Sequence, residues 1–270
     1  MNSLEKEIVS ALIDLKDNYQ VTGVKAEFET EGTRLDEASK LKEIVDKAGL
    51  NLTIKIGGCG AIKELYEAKN IAASTIVAPM IETPYAMKKY IKAINTVFSK
   101  DERKNIKFLI NIETITGFNN LDGIISAEEF SQLSGIVLGR ADMIGSMGLT
   151  EDEINSDKIY NIAHTISEKM MVLNKDFVVG GDVCASSLPF FKNLPYLSRF
   201  ETRKILFDAP NALNNQNIDK GLLKAIGFEL IWLQYKRELY GTIFKEDEVR
   251  FKILESRYKK LLEEFGEVCA

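Results

Sequence analysis

The period of the apolar positions changes along this chain. Residues 3–17 set Leu4, Ile8, Leu12 and Leu15 on one face at helical spacing, which predicts an amphipathic helix. Past residue 20, short β-rich runs alternate with helical segments, the order expected of a parallel sheet with helical crossovers. Strands are predicted at 23–29, 52–56, 75–81, 107–113, 135–139, 177–182 and 199–207. Between them, Leu35, Ala38, Leu41, Ile44 and Val45 share a helical face that stops at Gly49. Thr83 and Pro84 open a second helix as N-cap and first residue. Thr150 and Glu153 suggest a capping box ahead of the helix bearing Ile159, Ile162, Ala163, Ile166, Met170 and Leu173.

Seven strands are legible, so the pattern predicts an α/β fold of the (β/α)8 TIM-barrel type whose first strand is irregular or missing. The Asn-rich stretch 208–217 reads as a linker, and 218–239 and 246–265 read as two long helices. The expectation is a single domain over 1–270, with the barrel at about 20–208 and a C-terminal helical extension at about 218–266. A chain of 270 residues suits such a barrel.

Composition narrows the function classes. The net charge of −5 offers no basic surface for nucleic acid, and no apolar run approaches a membrane span. The N-terminal segment mixes acids with its apolar residues, unlike a signal peptide, so a cytoplasmic location is expected. Three cysteines, Cys59, Cys184 and Cys269, have no paired spacing. The one histidine, His164, excludes chemistry that needs a His triad, a three-His zinc site or an HExxH motif.

Strand alternation then locates charge inside the barrel. If Val24, Ala26 and Phe28 face the helices, Lys25, Glu27 and Glu29 face the axis. The same parity turns Thr53 and Lys55 inward on the next strand, and Asn111 and Glu113 on the fourth. In the run RFETRKILF parity is ambiguous, but Glu201 and Arg203 share a side. The inward candidates are Lys25, Lys55, Arg140 and Arg203 against Glu27, Glu29, Glu113, Asp142, Asp182 and Glu201, an excess of about two negative charges. A divalent cation would neutralise it, and oxygen ligands favour Mg²⁺ or Mn²⁺.

Three stretches carry a family resemblance: STIVAPMIETPYAMKKYIKAI (74–94), FLINIETITGFNNLDGII (108–125) and LSGIVLGRADMIGSMG (133–148). In order and spacing the chain resembles the HpcH/HpaI aldolase and citrate lyase beta-subunit family, barrels of the pyruvate-kinase-like type. The resemblance implies Mg²⁺ or Mn²⁺ held by Glu113 and Asp142, and carbon–carbon lyase or aldolase chemistry on a 2-oxo acid such as pyruvate. It implies that the backbone N–H groups of Ala141 and Asp142, in the turn begun by Arg140, meet the carboxylate of a small-molecule substrate. The family's enolate-contacting Arg corresponds to Lys55. Its Asp-x-Glu-His run corresponds to Glu29-Thr30-Glu31-Gly32, so Glu29 or Glu31 takes the place of the absent His as base. Packing of the family's C-terminal helix on a neighbouring subunit implies a homo-oligomer. Two alternatives remain: a CoA-thioester lyase of the citrate-lyase type, and a lapsed barrel serving as a binding or assembly subunit.

The remaining candidates read as structural. His164 flanks the apolar face of its helix, Gly57-Gly58-Cys59-Gly60 reads as a tight turn in preference to a phosphate cradle, and Glu82 as a charge at a helix start.

Overall fold

The computed structural model describes residues 1–265. Eight strands close into a barrel in sequence order: β1 (Val21–Glu27), β2 (Asn51–Lys55), β3 (Thr75–Ala78), β4 (Lys107–Ile112), β5 (Gly135–Gly139), β6 (Asp176–Gly180), β7 (Arg199–Glu201) and β8 (Ile205–Asp208). The pairs from β1 to β7 are parallel, and β8 runs antiparallel to both β7 and β1. Six strands therefore match the expected runs to within a few residues, the seventh run divides into two strands, and the TIM-type barrel stands.

The irregular strand is the last one, not the first. β1 is a full strand, and the run 199–207 supplies two strands folded back through Thr202, Arg203 and Lys204. Thr202 closes this turn: its N–H donates to Ile205 O at 2.9 Å, and Ile205 N–H returns to Thr202 Oγ1 at 3.0 Å. Lys25 N–H donates to Lys204 O at 2.8 Å, which ties the turn to β1. Because β8 runs backwards, its turn lies at the end of the barrel where the parallel strands finish. That is where barrel active sites are built.

Two local expectations are corrected. Thr150 precedes a 3-10 turn (Glu151–Asn155), and the long helix begins at Asp157. The stretch 208–217 is no plain linker, since Ala209–Leu213 is helical. The helices around the barrel bury most of the predicted faces, including Leu41, Ile44 and Val45 in Leu35–Lys47, but Leu35 and Leu173, at helix ends, are exposed. Thr83 Oγ1 caps Pro84–Val97 by accepting from Ala86 N–H at 3.1 Å. Outside β7 and β8, Phe191, Phe200 and Phe207 stack with ring centroids 5.2 and 4.9 Å apart.

The contacts divide the chain into two units, Met1–Phe228 and the segment from Glu229 onward. The first holds the barrel. The second consists, as far as it is described, of the end of helix Ile218–Lys245 and helix Glu248–Phe265. Among the described residues no helix is long and apolar enough to cross a membrane. Cys59 and Cys184 are free thiols, and Cys269 lies outside the described residues.

Candidate active site

Inside the barrel, the side chains sort by strand. Val77, Leu109, Val137 and Val178, from β3 to β6, form a buried apolar cluster. On β1, β2 and β7, and just beyond the end of β4, Lys25, Glu27, Lys55, Glu113 and Glu201 are buried as charges. These charges line a cleft of about 220 Å³ together with Asn111, Gly139, Ala141, Asp142, Asp182 and Arg203.

Pairing makes the burial tolerable, since an isolated ion would cost several kcal/mol. Lys25 Nζ lies 2.6 Å from Glu201 Oε1 and 3.1 Å from Glu27 Oε1. Burial alone would lower the Lys25 pKa, but Glu201 and Glu27 outweigh it and hold Lys25 above the ordinary lysine value. Burial pushes Glu27 up, yet Lys25 and Lys55 bring its carboxyl below the usual range. Lys55 Nζ is held 3.0 Å from Glu29 Oε2 and 3.3 Å from Glu113 Oε2. Its own desolvation is likewise outweighed, by Glu113 and Glu29 in turn, so Lys55 is an ammonium at neutral pH.

Glu113 follows the last residue of β4 and is 1% exposed on its side chain. Met80 N–H donates to its Oε1 at 2.8 Å and Asn111 Nδ2 to its Oε2 at 2.6 Å. A glycine on β5 makes room for it: a Cβ at Gly139 would stand 2.8 Å from Glu113 Oε2. Gly180 does the same for Glu201, whose Cγ would be 3.0 Å from an added Cβ. Gly181 has φ +86°, and a Cβ there would lie 2.5 Å from Ala141 N. Asp142 stands at the rim. Its pKa is raised by partial desolvation and then by the Glu113 charge and a hydrogen bond shared with Glu113; Lys55 offsets part of this.

The sequence-predicted site residues separate into three groups. Lys55, Glu29, Glu113 and Asp142 come together, and Ala141 lines the cleft beside them. Glu31 does not join them. Its Oε2 is the partner of Lys204 Nζ and accepts from Thr33 Oγ1 and Glu27 N–H, both at 3.3 Å, which spends it on anchoring the loop after β1. Arg140 departs from the inward set as well. Its side chain is fully buried and turned toward the neighbouring loop, donating to Gly180 O at 3.2 Å, Gly181 O at 2.7 Å, Asn155 Oδ1 at 2.6 Å and Ser187 Oγ at 3.3 Å. The guanidinium also lies 5.1 Å from the Phe190 ring and 5.0 Å from the Phe191 ring. Burial lowers its pKa to about 10, still far above neutral. Its task is to fasten the β5 and β6 ends together, leaving only its backbone at the turn after β5.

The structural readings of the lesser candidates agree with their surroundings. Gly57 N–H is taken by the Glu64 side chain, so an acid fills the glycine turn. Glu82 Oε1 accepts from Thr114 Oγ1 at 2.7 Å, and His164 pairs with Glu168 on a helix surface at 3.6 Å.

Among the described residues, no three His, Cys, Asp or Glu side chains gather in a metal-binding group. The pair Glu113–Asp142 nonetheless suits a hard cation. Partial burial and then the neighbouring Glu113 charge raise the Asp142 carboxyl, and Asn111 Oδ1 is buried with no hydrogen-bond partner. All three are oxygen donors, the set preferred by Mg²⁺ or Mn²⁺.

Comparison with known proteins agrees with this geometry at the level of fold. Among solved structures, an HpcH/HpaI aldolase from Desulfitobacterium hafniense DCB-2 has a TM-score of 0.58 at 11% identity, covering 74% of this chain and 83% of that one. The citrate synthase SbnG gives 0.57 at 14% identity, covering 82% of this chain and 90% of its own. An HpcH/HpaI aldolase/citrate lyase family protein from Burkholderia cenocepacia J2315 gives 0.55 at 11% identity, covering 72% and 92%. At such identities the likeness is one of fold. No curated protein matches the sequence. The family that the strand-end motifs resemble is also the family whose sequence profile the chain matches: HpcH/HpaI aldolase/citrate lyase, over residues 47–173.

Proposed function

We propose that this protein is a carbon–carbon lyase or aldolase that works through the enolate of a 2-oxo acid. The observation that carries the reading is the Lys55 ammonium, held 3.0 Å from Glu29 and 3.3 Å from Glu113 at the C-terminal mouth of the barrel. A fixed cation in a partly dry cleft stabilises negative charge that develops on an oxygen, and it needs no reorganisation to do so.

In cleavage, a base takes the proton of the aldol hydroxyl, the carbon–carbon bond breaks, and its electron pair passes into the keto group as an enolate. Lys55 faces that oxygen. Glu29 is placed to move the proton: its Oε2 is buried and ion-paired to Lys55 yet accepts no well-formed hydrogen bond. With Glu31 committed to Lys204, Glu29 is the acid that replaces the family's histidine. The Ala141 and Asp142 backbone receives the substrate carboxylate at the turn after β5. Glu113 and Asp142 would hold Mg²⁺ or Mn²⁺, which as a Lewis acid supplies further charge stabilisation at the keto oxygen.

The test is proton exchange. Protein with Mg²⁺ and pyruvate in D₂O is expected to deuterate the pyruvate methyl group, seen as loss of its proton NMR signal. Glu113→Gln, Asp142→Asn and Lys55→Met are expected to abolish the exchange. A wild-type protein that leaves the signal intact contradicts the reading, and turnover of a CoA thioester in its place would favour the citrate-lyase alternative.

A further inference from the structure

We propose that Lys204, in the turn between β7 and β8, is a positioning residue: its ion pair with Glu31 sets the loop after β1 so that Glu29 stands against Lys55. This rests on the reading above, in which Glu29 moves the proton. Glu29 is itself lightly held. Its Oε2 lies 3.0 Å from Lys55 Nζ and accepts no well-formed hydrogen bond, so its place depends on the loop that carries it. That loop, residues 28–34, contains neither helix nor strand. Near its ends Phe28 N–H donates to Lys55 O at 2.9 Å and Thr33 N–H to Glu27 O at 3.1 Å. Gly32, at φ +54°, turns the chain between them and donates its N–H to Glu29 O at 3.2 Å.

Those bonds close the loop upon β1 and β2, and Glu31 fastens it across the mouth. Its Oε2 takes the Lys204 ammonium, and the two side chains are 10% and 5% exposed. Lys204 reaches it because β8 is reversed, which brings the turn of residues 202–204 to the mouth. The turn is itself fixed: Ile205 N–H donates to Thr202 Oγ1 at 3.0 Å, and Lys204 O accepts from Lys25 N–H at 2.8 Å. Lys204 thus holds the backbone of β1 with its carbonyl and the loop beyond β1 with its ammonium. A buried ion pair adds little to stability, because desolvation offsets the attraction, but it can hold one geometry against the alternatives. Two residues from Glu29, that hold fixes the carboxylate before substrate arrives. A misplacement of about 1 Å in a reacting group costs on the order of 100-fold in rate.

The test uses the full chain with Mg²⁺ and pyruvate in D₂O. Glu31→Gln combined with Lys204→Met removes both charges of the pair, so neither is left buried without the other. In this double variant kcat for methyl deuteration is expected to fall about tenfold or more while KM changes less than about twofold. Lys204→Arg, which keeps a cation for Glu31, is expected to retain most of the rate. Amide hydrogen exchange of the double variant should show protection lost in residues 28–34 and kept in β2 to β6. An unchanged kcat overturns the assignment. So does a fall in kcat with protection lost throughout the strands, which marks a merely structural pair. Absent deuteration in wild type overturns the 2-oxo-acid reading itself, and protection then decides the Lys204–Glu31 hold separately. A loop as protected in the double variant as in wild type overturns that hold, and loss confined to residues 28–34 supports it.

Discussion

Two parts of one barrel interior are built by opposite rules. Val77, Leu109, Val137 and Val178 fill the β3–β6 side with apolar side chains, as barrel cores are commonly filled. Lys25, Glu27, Lys55, Glu113 and Glu201 fill the rest with charges that satisfy one another. The apolar side gains stability from each residue almost independently. The charged side is stable only as a set, because removing one member leaves its partners buried and uncompensated. Such a set gives less stability than a hydrophobic filling would, and this fits its position at the mouth, where the proposed chemistry needs it.

The largest expected effect tests that contrast. Lys25→Met strands Glu27 and Glu201, and urea unfolding is expected to show a loss of about 3–5 kcal/mol. Combining it with Glu27→Gln and Glu201→Gln should recover most of that loss, whereas independent contributions would make the triple variant worse. Leu109→Ala, on the apolar side, is expected to cost about 2–3 kcal/mol by leaving a cavity. No second substitution on the charged side should rescue it.

Gly139→Ala sharpens the boundary between the two sides. The added Cβ meets Glu113 Oε2 at 2.8 Å and Glu113 Cβ at 2.9 Å, so the carboxylate must move. Stability should fall by about 1–2 kcal/mol, while pyruvate exchange drops at least tenfold because Glu113 has left its place. Equal exchange in wild type and variant would show that Glu113 has no exacting position to keep.

The smallest effect is in pH dependence. Glu27 is depressed in the folded protein, so its contribution is complete above its unfolded value of 4.5 and is lost as pH falls through the lower folded value. Stability of the wild type should therefore decline in acid below about pH 4.5. Glu27→Gln should show a shallower decline over that window in urea midpoints, and Leu109→Ala a decline parallel to wild type.

The same division explains what the sequence discloses. Strand positions and the inward Lys25, Lys55, Asn111 and Glu113 follow from alternation, because each reading needs only neighbouring residues. The β7–β8 hairpin escapes that reading. Thr202-Arg203-Lys204 lacks the Gly, Asn or Pro that marks a tight turn, so two strands look like one. Motif position points Arg140 and Glu31 to the site, yet their side chains are claimed by distant groups. Arg140 is held by the Gly180 and Gly181 carbonyls and Ser187, and Glu31 by Lys204. Only the closed barrel brings those partners within reach, so local pattern carries no trace of them. Arg203 had a parity signal, since it shares a side with Glu201, but its exposed place at the mouth depends on the reversal of β8.

The proposed function makes the charged side of the barrel a cation and 2-oxo-acid site and not only a structural network. Calorimetric titration of the purified protein with Mn²⁺ tests it most directly. Saturable binding is expected, abolished in Glu113→Gln and Asp142→Asn but unchanged in Leu109→Ala. Absence of Mn²⁺ binding in the wild type, or binding that survives both carboxylate substitutions, would contradict it.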